Sequence, residues 1–384
     1  PVRDIFKKVD LSKIYSFAGG YPHPSTFPTD RLASMVETVR QKYGDKTLQY
    51  GATQGTNELQ EALSKRYDVP ADNIQITTSS QQGIDVTARV LVDPGDVVLV
   101  ADPSYLGAIQ SFKSYRADIV GLDLTPSFEA SKQRRATIQA LVDAGKKIKF
   151  FYTVPDFQNP SGETLTLAQR SELVALAREF GFLILEDCPY RELRYEGQPQ
   201  TTIYTLAPER TIHLGSFSKV FAPGLRLGWM IAAPEILDKV YVCKQALDLC
   251  PPVLDQYLAA EWLSSGELDR NLEKTRELYR GKRDLMISML EKYMPEGVSW
   301  THPEGGLFLF LTLPEHIDTV ALYDKALAVG VAYVAGSFFY ADGTHRNTMR
   351  LSYSFIDDEK IEGGIRILAS LIRYAQTLSY GQYS

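Results

Sequence analysis

Short runs of apolar, β-branched and aromatic residues alternate with helical patterns from about residue 74 onward. One of the helical patterns is LAQRSELVALAREFG (167–181), in which Leu173 and Leu176 fall on one face and Gly181 lies where a helix C-cap would. This alternation predicts an α/β fold, a mostly parallel sheet with helices on both faces. The runs predicted to be strands are NIQITT (73–78), DVVLVADP (96–103), ADIVGLDL (117–124), KFFYTVP (149–155), FLILEDCP (182–189), TIHLGS (211–216) and GWMIAAP (228–234).

The pattern changes after residue 235 to long helical segments, including a charged one at 268–294. Three further strand patterns separated by helices follow, which predicts a smaller α+β domain. The N-terminal residues are punctuated by Pro and Gly and lack the alternation, so we expect them to form an arm. The later strand patterns lie at 305–314, 331–336 and 348–355. The predicted division is an arm with part of the small domain at 1–45, a large domain at 46–280 and a small C-terminal domain at 281–384.

The charge distribution and the cysteine pattern limit the ligands, metals and macromolecules that the chain is expected to bind. The chain has 384 residues and a net charge of −6, with acidic and basic residues interspersed, so we expect a small-molecule partner and neither nucleic acid nor membrane. No apolar stretch reaches the roughly 18 residues that cross a bilayer. Cys188, Cys243 and Cys250 form no CxxC pair, and the histidines lack metal-ligand spacing. We therefore expect a reduced, cytoplasmic protein without a metal site.

Chemically distinctive residues collect where the predicted strands end. In an open α/β sheet, ligands bind beyond the carboxyl ends of the strands. The sequence therefore predicts one site at this edge. The segments that follow strands are TTSSQQG (77–83), ADPSY (101–105), TVPDFQNPSG (153–162), EDCPY (186–190) and GSFSK (215–219).

Lys219 stands in SFSKVFAPGLRLGW (216–229), a stretch with almost no other charge. Burying an unpaired ammonium is costly unless its pKa falls or it becomes covalently bound. A lysine that forms an imine with an aldehyde loses its charge and becomes a nucleophilic and acid–base centre. Ser216, Ser218 and Arg226 are nearby donors for an anion. Taken alone, Lys219 would be interpreted as a solvated loop lysine. The neighbouring donors and the other distinctive residues at this sheet edge favour a lysine that forms an imine.

Two further segments admit both a functional and a structural interpretation. Asp187 follows the apolar FLIL, so its carboxylate lies at a buried sheet edge and needs a cation or several hydrogen bonds. A protonated ring nitrogen of a cofactor would serve, and Tyr190 could reach the same ligand; the alternative is a loop carboxylate that caps a turn. Ser80 and the N–H groups around Gln81 would bind a phosphate at a helix N-terminus, or Ser80 is a plain N-cap.

Asn159 and Tyr105 are weaker signals when taken alone. Asn159 offers an amide on a turn fixed by Pro160 and Gly162, and such turns are common. Tyr105 supplies an aromatic face at a strand end, which serves either packing or stacking on a ligand.

The order and separation of TVPDFQNPSG, EDCPY and SFSKVFAPGLRLGW resemble the signature of fold-type I pyridoxal 5′-phosphate (PLP) aminotransferases. The resemblance covers nearly the whole chain and is strongest to the branch of 2-aminoadipate and kynurenine aminotransferases. Asp156 is a departure, since that branch usually has asparagine there, and a carboxylate near Asn159 could alter the turn or the substrate preference. Other matching segments are FAGGYPHPSTFP (17–28), LQYGATQGTNELQEAL (48–63) and MRLSYSF (349–355).

The resemblance implies a role for each matching residue. Lys219 would be the Schiff-base lysine and the proton carrier, and Asp187 would pair with the pyridinium N–H. Asn159 and Tyr190 would hold the phenolic oxygen, and Tyr105 would stack on the ring. The residues implied around the phosphate are Ser80, Gln81, Ser216, Ser218, Arg226 and, from a partner subunit, Tyr50. The residues implied around the substrate are Arg350 for its α-carboxylate, Asn159, Gly20 and Tyr21.

The implied function is a homodimeric aminotransferase that moves an amino group from an amino acid to a 2-oxo acid such as 2-oxoglutarate by a ping-pong mechanism. The resemblance implies 2-aminoadipate, aromatic or branched-chain amino acids as donors. The segment YPHPSTFP (21–28) has no arginine to pair a second carboxylate, and Tyr15, Tyr21 and Phe27 suggest a pocket for an aromatic or aliphatic side chain. Arg3, Arg31 or a partner's arginine could still supply that charge.

Two other functions remain open from the sequence. One is a PLP-dependent lyase, decarboxylase or oxidase on the same scaffold, since the cofactor motifs do not select the bond that breaks. The other is a non-catalytic PLP-sensing domain of a transcription regulator, which would need a basic DNA-binding arm of ~70 residues. It ranks last because about 45 residues precede the predicted large domain.

Overall fold

The computed structural model describes residues 14–378. The first 13 residues of the predicted arm, with Arg3, lie outside the described residues. The strands are β1 Tyr15–Ser16, β2 Ile74–Thr77, β3 Val97–Ala101, β4 Asp118–Leu122, β5 Ile148–Thr153, β6 Leu183–Asp187, β7 Thr211–Ser216, β8 Gly228–Ile231, β9 Ser299–Trp300, β10 Phe308–Thr312, β11 Val331–Ala332, β12 Val334–Ala335 and β13 Thr348–Ser352. The α-helices are α1 Thr29–Tyr43, α2 Asn57–Tyr67, α3 Ser79–Leu91, α4 Leu106–Ser114, α5 Phe128–Asp143, α6 Leu167–Phe180, α7 Ile203–Leu206, α8 Pro234–Asp248, α9 Val253–Ser264, α10 Glu267–Tyr293, α11 Tyr323–Ala328 and α12 Asp358–Gln376.

The large sheet has seven strands in the order β2-β8-β7-β6-β5-β3-β4. The five strands from β7 to β4 pair in parallel, whereas β8 is antiparallel to both β7 and β2. Each of the seven predicted strands is therefore confirmed, as is the mostly parallel sheet. Only β8 runs in the reverse direction, which brings the residues before β8 to the edge where its neighbours end.

Helices cover both faces of this sheet. Alternate residues of a strand point to opposite faces, and accordingly Val98 and Val100 of β3 pack in one apolar cluster while Val97 and Leu99 pack in the other. The predicted helix at 167–181 is confirmed as α6. It begins with a capping box, in which Thr166 is the N-cap, and ends at Gly181, whose φ of 80° favours glycine.

A smaller antiparallel sheet, β12-β13-β10-β9, follows in the C-terminal part of the chain. The pattern at 331–336 was predicted as one strand but forms two, because β11 pairs in parallel with β1 while β12 pairs with β13. Neither β1 nor β9 was predicted, since a two-residue strand is too short to show alternation. Within residues 14–378, no helix is both long and apolar enough to cross a membrane.

Candidate active site

The carboxyl edge of the large sheet collects the residues singled out from the sequence. Asp187 is the last residue of β6, and Lys219 lies three residues beyond β7. Because β8 is reversed, Arg226, which precedes it, lies at the same edge. The topology thus brings together a carboxylate, an amine and a guanidinium that are separated by up to 39 positions along the chain.

Asp187 is almost fully buried, and its two oxygens differ. The hydroxyl of Tyr152 donates to Oδ2 at 2.8 Å, whereas Oδ1 has no hydrogen-bond partner among the described residues. Burial raises the pKa of Asp187 to about 7, opposed by the Tyr152 hydrogen bond and by His213. A buried acceptor without a partner is costly, so this oxygen is available for a cationic or N–H donor.

The Lys219 amine lies close to the N-terminal segment, where its Nζ donates to the carbonyl oxygen of Gly20 at 2.8 Å. Burial, and then the positive charges of Arg350 and Arg226, lower the pKa of Lys219 to about 8. Within residues 14–378, no carboxylate forms a hydrogen bond or an ion pair with this amine. A substantial fraction is therefore neutral near physiological pH, as a nucleophile or a base requires.

Arg350, on β13 of the small sheet, reaches across to the large one. It donates to Asn159 Oδ1 at 2.7 Å and to the carbonyl of Ala18 at 2.6 Å. Its guanidinium carbon lies 4.4 Å from the ring centre of Phe308 and 5.2 Å from that of Phe339. Burial lowers its pKa to about 10, so it stays charged. Its Nε has no partner in the described part of the chain, and no carboxylate there neutralises it.

The predicted aromatic residues also lie at this edge. Tyr190 is buried and hydrogen-bonded to Asn159, and burial raises its pKa above the usual range. Its ring meets that of Phe308 edge-on at 5.7 Å. Tyr105 is the N-cap residue of α4, and its hydroxyl donates to Gln81 Oε1 at 3.0 Å.

An open cleft of about 630 Å³ lies at the N-terminus of α3, lined in part by Ser79, Gln81 and Arg226. Arg226 donates to Ser79 Oγ at 2.5 Å, and the Ser218 N–H donates to Ser216 Oγ at 3.1 Å. Ser80 is the second residue of α3, so the predicted helix start is confirmed. Free N–H groups at a helix start together with an arginine favour an anion such as phosphate.

Glycine is required where β8 passes the start of α3. A Cβ at Gly228 would lie 2.7 Å from the carbonyl oxygen of Gly215 and 2.8 Å from the backbone nitrogen of Ser80. Any side chain would therefore push β8 away from the anion-binding edge. This close approach accounts for the glycine before Trp229 in the predicted strand.

Other predicted residues lie at the rim or away from the site. Tyr50 is 78% exposed and does not line the cleft at the start of α3. Tyr21 follows Gly20 and meets Phe355 edge-on at 5.8 Å, at the solvent boundary. Tyr15 lies instead against Gly363 of α12, and Arg31 pairs with Glu267, so neither joins the site in this chain.

The Asp156 carboxylate forms ion pairs with two arginines. Its Oδ1 accepts from Arg170 at 2.7 Å and its Oδ2 from Arg191 at 3.2 Å. Arg170 is fully buried, so the carboxylate balances a charge that would otherwise be unpaired. This pairing was not predictable from the sequence, because the three residues are far apart along the chain.

Glu186, Cys188 and His213 offer potential metal-ligand atoms within 4.8 Å of one another, although sequence spacing predicted no such group. Sheet pairing brings Glu186 beside His213. The Glu186 carboxylate already accepts from the backbone N–H groups of Ile203 and Tyr204, and it lies 2.8 Å from His213 Nδ1. These hydrogen bonds account for its burial without an ion.

Sequence reasoning missed several residues of the site. Tyr152 looked like one more apolar residue of a strand; the available signal was that a buried tyrosine hydroxyl needs a partner. Ser79, beside the predicted Ser80, is the serine that contacts Arg226. Phe308 and Phe339 flank Arg350, but nothing in their sequence surroundings distinguishes them from core residues.

These residues fit PLP. The free Asp187 oxygen suits a pyridinium N–H, the Lys219 amine suits an aldehyde, and the cleft at the start of α3 suits a phosphate. The unpaired Arg350 Nε leaves a donor for a substrate carboxylate. The fit rests on donor and acceptor chemistry that the folded chain leaves unsatisfied.

Comparisons with known proteins agree. Residues 18–368 match the sequence model of the family described as aminotransferase class I and II, and this chain belongs to that family. It is a PLP-dependent enzyme of fold type I that transaminates, with amino acids and 2-oxo acids as substrates.

Its similar proteins include aromatic-amino-acid aminotransferase 1 of Thermococcus litoralis, 42% identical over 97% of this chain and 91% of that protein. The 2-aminoadipate transaminase of Thermus thermophilus is 36% identical to this chain, and the match covers 97% of this chain and 93% of that protein. Among solved structures, the kynurenine aminotransferase of Pyrococcus horikoshii has a TM-score of 0.94 and 42% identity to this chain. The match covers 98% of this chain and 95% of that one, and that structure is a complex with PMP, KYN as substrates and KYA as products. The predicted resemblance, cofactor and reaction class are thereby confirmed.

Proposed function

We propose that the chain catalyses transamination in two half-reactions, with Lys219 and Asp187 as the central pair. The observation that carries this proposal is the pairing, at one sheet edge, of a lysine whose pKa is lowered to about 8 with a buried carboxylate that has one free oxygen. PLP, when bound, supplies a sink for the electrons left at Cα when its proton leaves. With PLP bound, Asp187 would keep the ring nitrogen protonated, and the Lys219 amine would accept the α-proton and return it.

The surrounding residues orient the reactants. With PLP bound, Asn159 and Tyr190 would hold its phenolic oxygen, and Tyr105 would pack on its ring. Arg350 binds the substrate α-carboxylate with a planar fork, for which its unpaired Nε supports the assignment. The residues proposed to bind the phosphate are Ser80, Gln81, Ser216, Ser218 and Arg226, to which the Arg226–Ser79 contact adds Ser79.

The proposed donors are aromatic amino acids, 2-aminoadipate and branched-chain amino acids, with 2-oxoglutarate as acceptor. Tyr21 and Phe355 form an aromatic edge beside Gly20, whose backbone approaches the substrate. The named activities of the relatives support the aromatic and aminoadipate donors. Arg31 is engaged with Glu267, so the apolar pocket is the better-supported feature.

We further propose a homodimer with sites shared between subunits. Leu48 and Tyr50 are apolar or aromatic side chains on one loop that are 84% and 78% exposed, and Tyr50 would reach the partner's phosphate. Val242 and Leu249 add further exposed apolar surface. Large exposed apolar residues that cluster are typical of an interface.

The proposed location is the cytoplasm, supported by three free cysteines in the described chain. The proposed domain division is the one predicted, with boundaries after residues 45 and 280. It is supported by the separation of the seven-stranded sheet from the four-stranded sheet. The β1–β11 pair supports assigning part of the arm to the small domain.

A half-reaction tests the proposal. With an amino donor and no 2-oxo acid, the bound cofactor should convert to its pyridoxamine phosphate form once, releasing one equivalent of 2-oxo acid per site. Adding 2-oxoglutarate should restore the starting spectrum, and a panel of donors would rank the substrates. Repeated release of CO₂, ammonia or peroxide without an acceptor would contradict the proposal.

A further inference from the structure

Tyr152 lies on β5, the strand that pairs with β6, directly beside the candidate cofactor-binding carboxylate. In the strand register Tyr152 is opposite Leu185, two residues before Asp187. Its hydroxyl donates to Asp187 Oδ2 at 2.8 Å. Tyr152 is fully buried and Asp187 is 2% exposed, so water does not compete for this hydrogen bond.

The hydrogen bond makes the two oxygens of Asp187 unequal. Oδ2 is occupied, and Oδ1 is the oxygen without a partner among the described residues. With Oδ2 held on the β5 side, the carboxylate plane is fixed and Oδ1 is left for a ligand. A hydroxyl donating to a carboxylate also favours its charged form, which a protonated ring nitrogen requires.

Packing holds the hydroxyl in place. The Tyr152 ring lies edge-on to Phe112 of α4, with ring centres 5.5 Å apart. Burial, and then the Asp187 charge, raise the pKa of Tyr152 well above its usual range, so the phenol keeps its proton and acts as a donor. His213, from β7 on the other side of β6, adds a second favourable influence on Asp187.

We propose that Tyr152 is a positioning residue that fixes the Asp187 carboxylate so that its free oxygen faces the ring nitrogen of PLP. Tyr152 itself touches neither cofactor nor substrate and acts through Asp187. The inference rests on the proposed role of Asp187. Removing the Tyr152 hydroxyl should therefore weaken only those interactions that depend on the ring nitrogen.

The test compares two ligands, PLP and an analogue in which CH replaces the ring nitrogen, titrated into cofactor-free protein. In Tyr152→Phe, the Kd for PLP should rise roughly 10- to 100-fold, as expected for losing a hydrogen bond to a charged group, while the Kd for the analogue stays within about threefold. The matched control is Tyr333→Phe, since Tyr333 is also buried and donates to a backbone carbonyl, that of Thr319, at 2.6 Å. It should change neither affinity. Equal weakening of both ligands in Tyr152→Phe, or no weakening, overturns the inference.

Asp187→Asn separates this inference from the proposed function. Wild type should bind PLP more tightly than the analogue. If Asp187→Asn loses that preference while Tyr152→Phe keeps it, the Tyr152 inference fails and the role of Asp187 stands. If Asp187→Asn keeps the preference, the role of Asp187 fails. Should Tyr152→Phe not fold, difluorotyrosine at position 152 keeps the shape and strengthens the donor. This replacement should change the ratio of the affinities for PLP and the analogue at least twofold, whereas the same replacement at position 333 should leave the ratio unchanged. An unchanged ratio for the replacement at position 152 overturns the inference.

Discussion

Replacing Asp187 with asparagine should remove a pH-dependent cost from the stability of the cofactor-free enzyme. Burial raises the pKa of Asp187 from 3.8 to about 7. Between these two values, the folded chain holds a proton that the unfolded chain has released. The free energy of unfolding therefore falls as the pH rises through this window, by up to about 1.4 kcal/mol per pH unit and on the order of 4 kcal/mol in all. Asparagine does not titrate, so the variant lacks this contribution.

The assay is urea unfolding of the cofactor-free wild type and Asp187→Asn at fixed protein concentration, in steps from about pH 4 to pH 8. The difference between their unfolding free energies should shift in favour of the variant as the pH rises, and then stay constant. Taking this difference cancels the other carboxylates. The lowered pKa of Lys219, about 8, makes stability rise from about pH 7 upward, because the unfolded lysine retains a proton that the folded one loses. Both proteins contain Lys219, so this contribution also cancels in the difference.

Two parallel stability curves would refute this reasoning. A constant difference across the window would mean that Asp187 titrates alike in the folded and unfolded chains. Burial of this carboxylate without a cationic partner would then impose no cost. Saturating PLP should reduce the shift in wild type, because a cation at the free oxygen favours the charged carboxylate.

Three further outcomes are expected. Lys219→Ala should retain no cofactor on the denatured chain after borohydride reduction, whereas wild type should be labelled at Lys219; label on another lysine would contradict the assignment. Tyr50→Ala and Lys219→Ala should each be nearly inactive. Their mixture should regain activity after subunit exchange, since one site of the mixed dimer has both Lys219 and Tyr50. A fully active monomer in sedimentation experiments would exclude the shared site. Arg350→Lys should raise the KM for amino acids at least tenfold more than the Kd for PLP, because an ammonium cannot form the bidentate pair; equal losses would indicate a structural role.

The large-sheet strands were predictable because each is a buried run with turn or helix signals at both ends. The carboxyl-edge rule then placed Asp187 and Lys219 at one edge without coordinates. Contacts between distant segments were not predictable. Nothing local in the sequence indicates that Asp156 balances Arg170 and Arg191, or that Tyr152 differs from the apolar residues around it, because these properties arise from strand order and packing.

The position of Arg350 has a consequence for synthesis of the chain. Its guanidinium meets the carbonyl of Ala18 and the side chain of Asn159, and β1 pairs with β11 near the other end of the sequence. A polypeptide emerging from the ribosome can form most of the large sheet while the partner strand of its first segment is still untranslated. Such long-range closure is slow and comes late. A nascent chain stalled before β13 should therefore acquire the cofactor-binding edge yet remain unable to hold an amino acid, so that activity appears only with the finished protein.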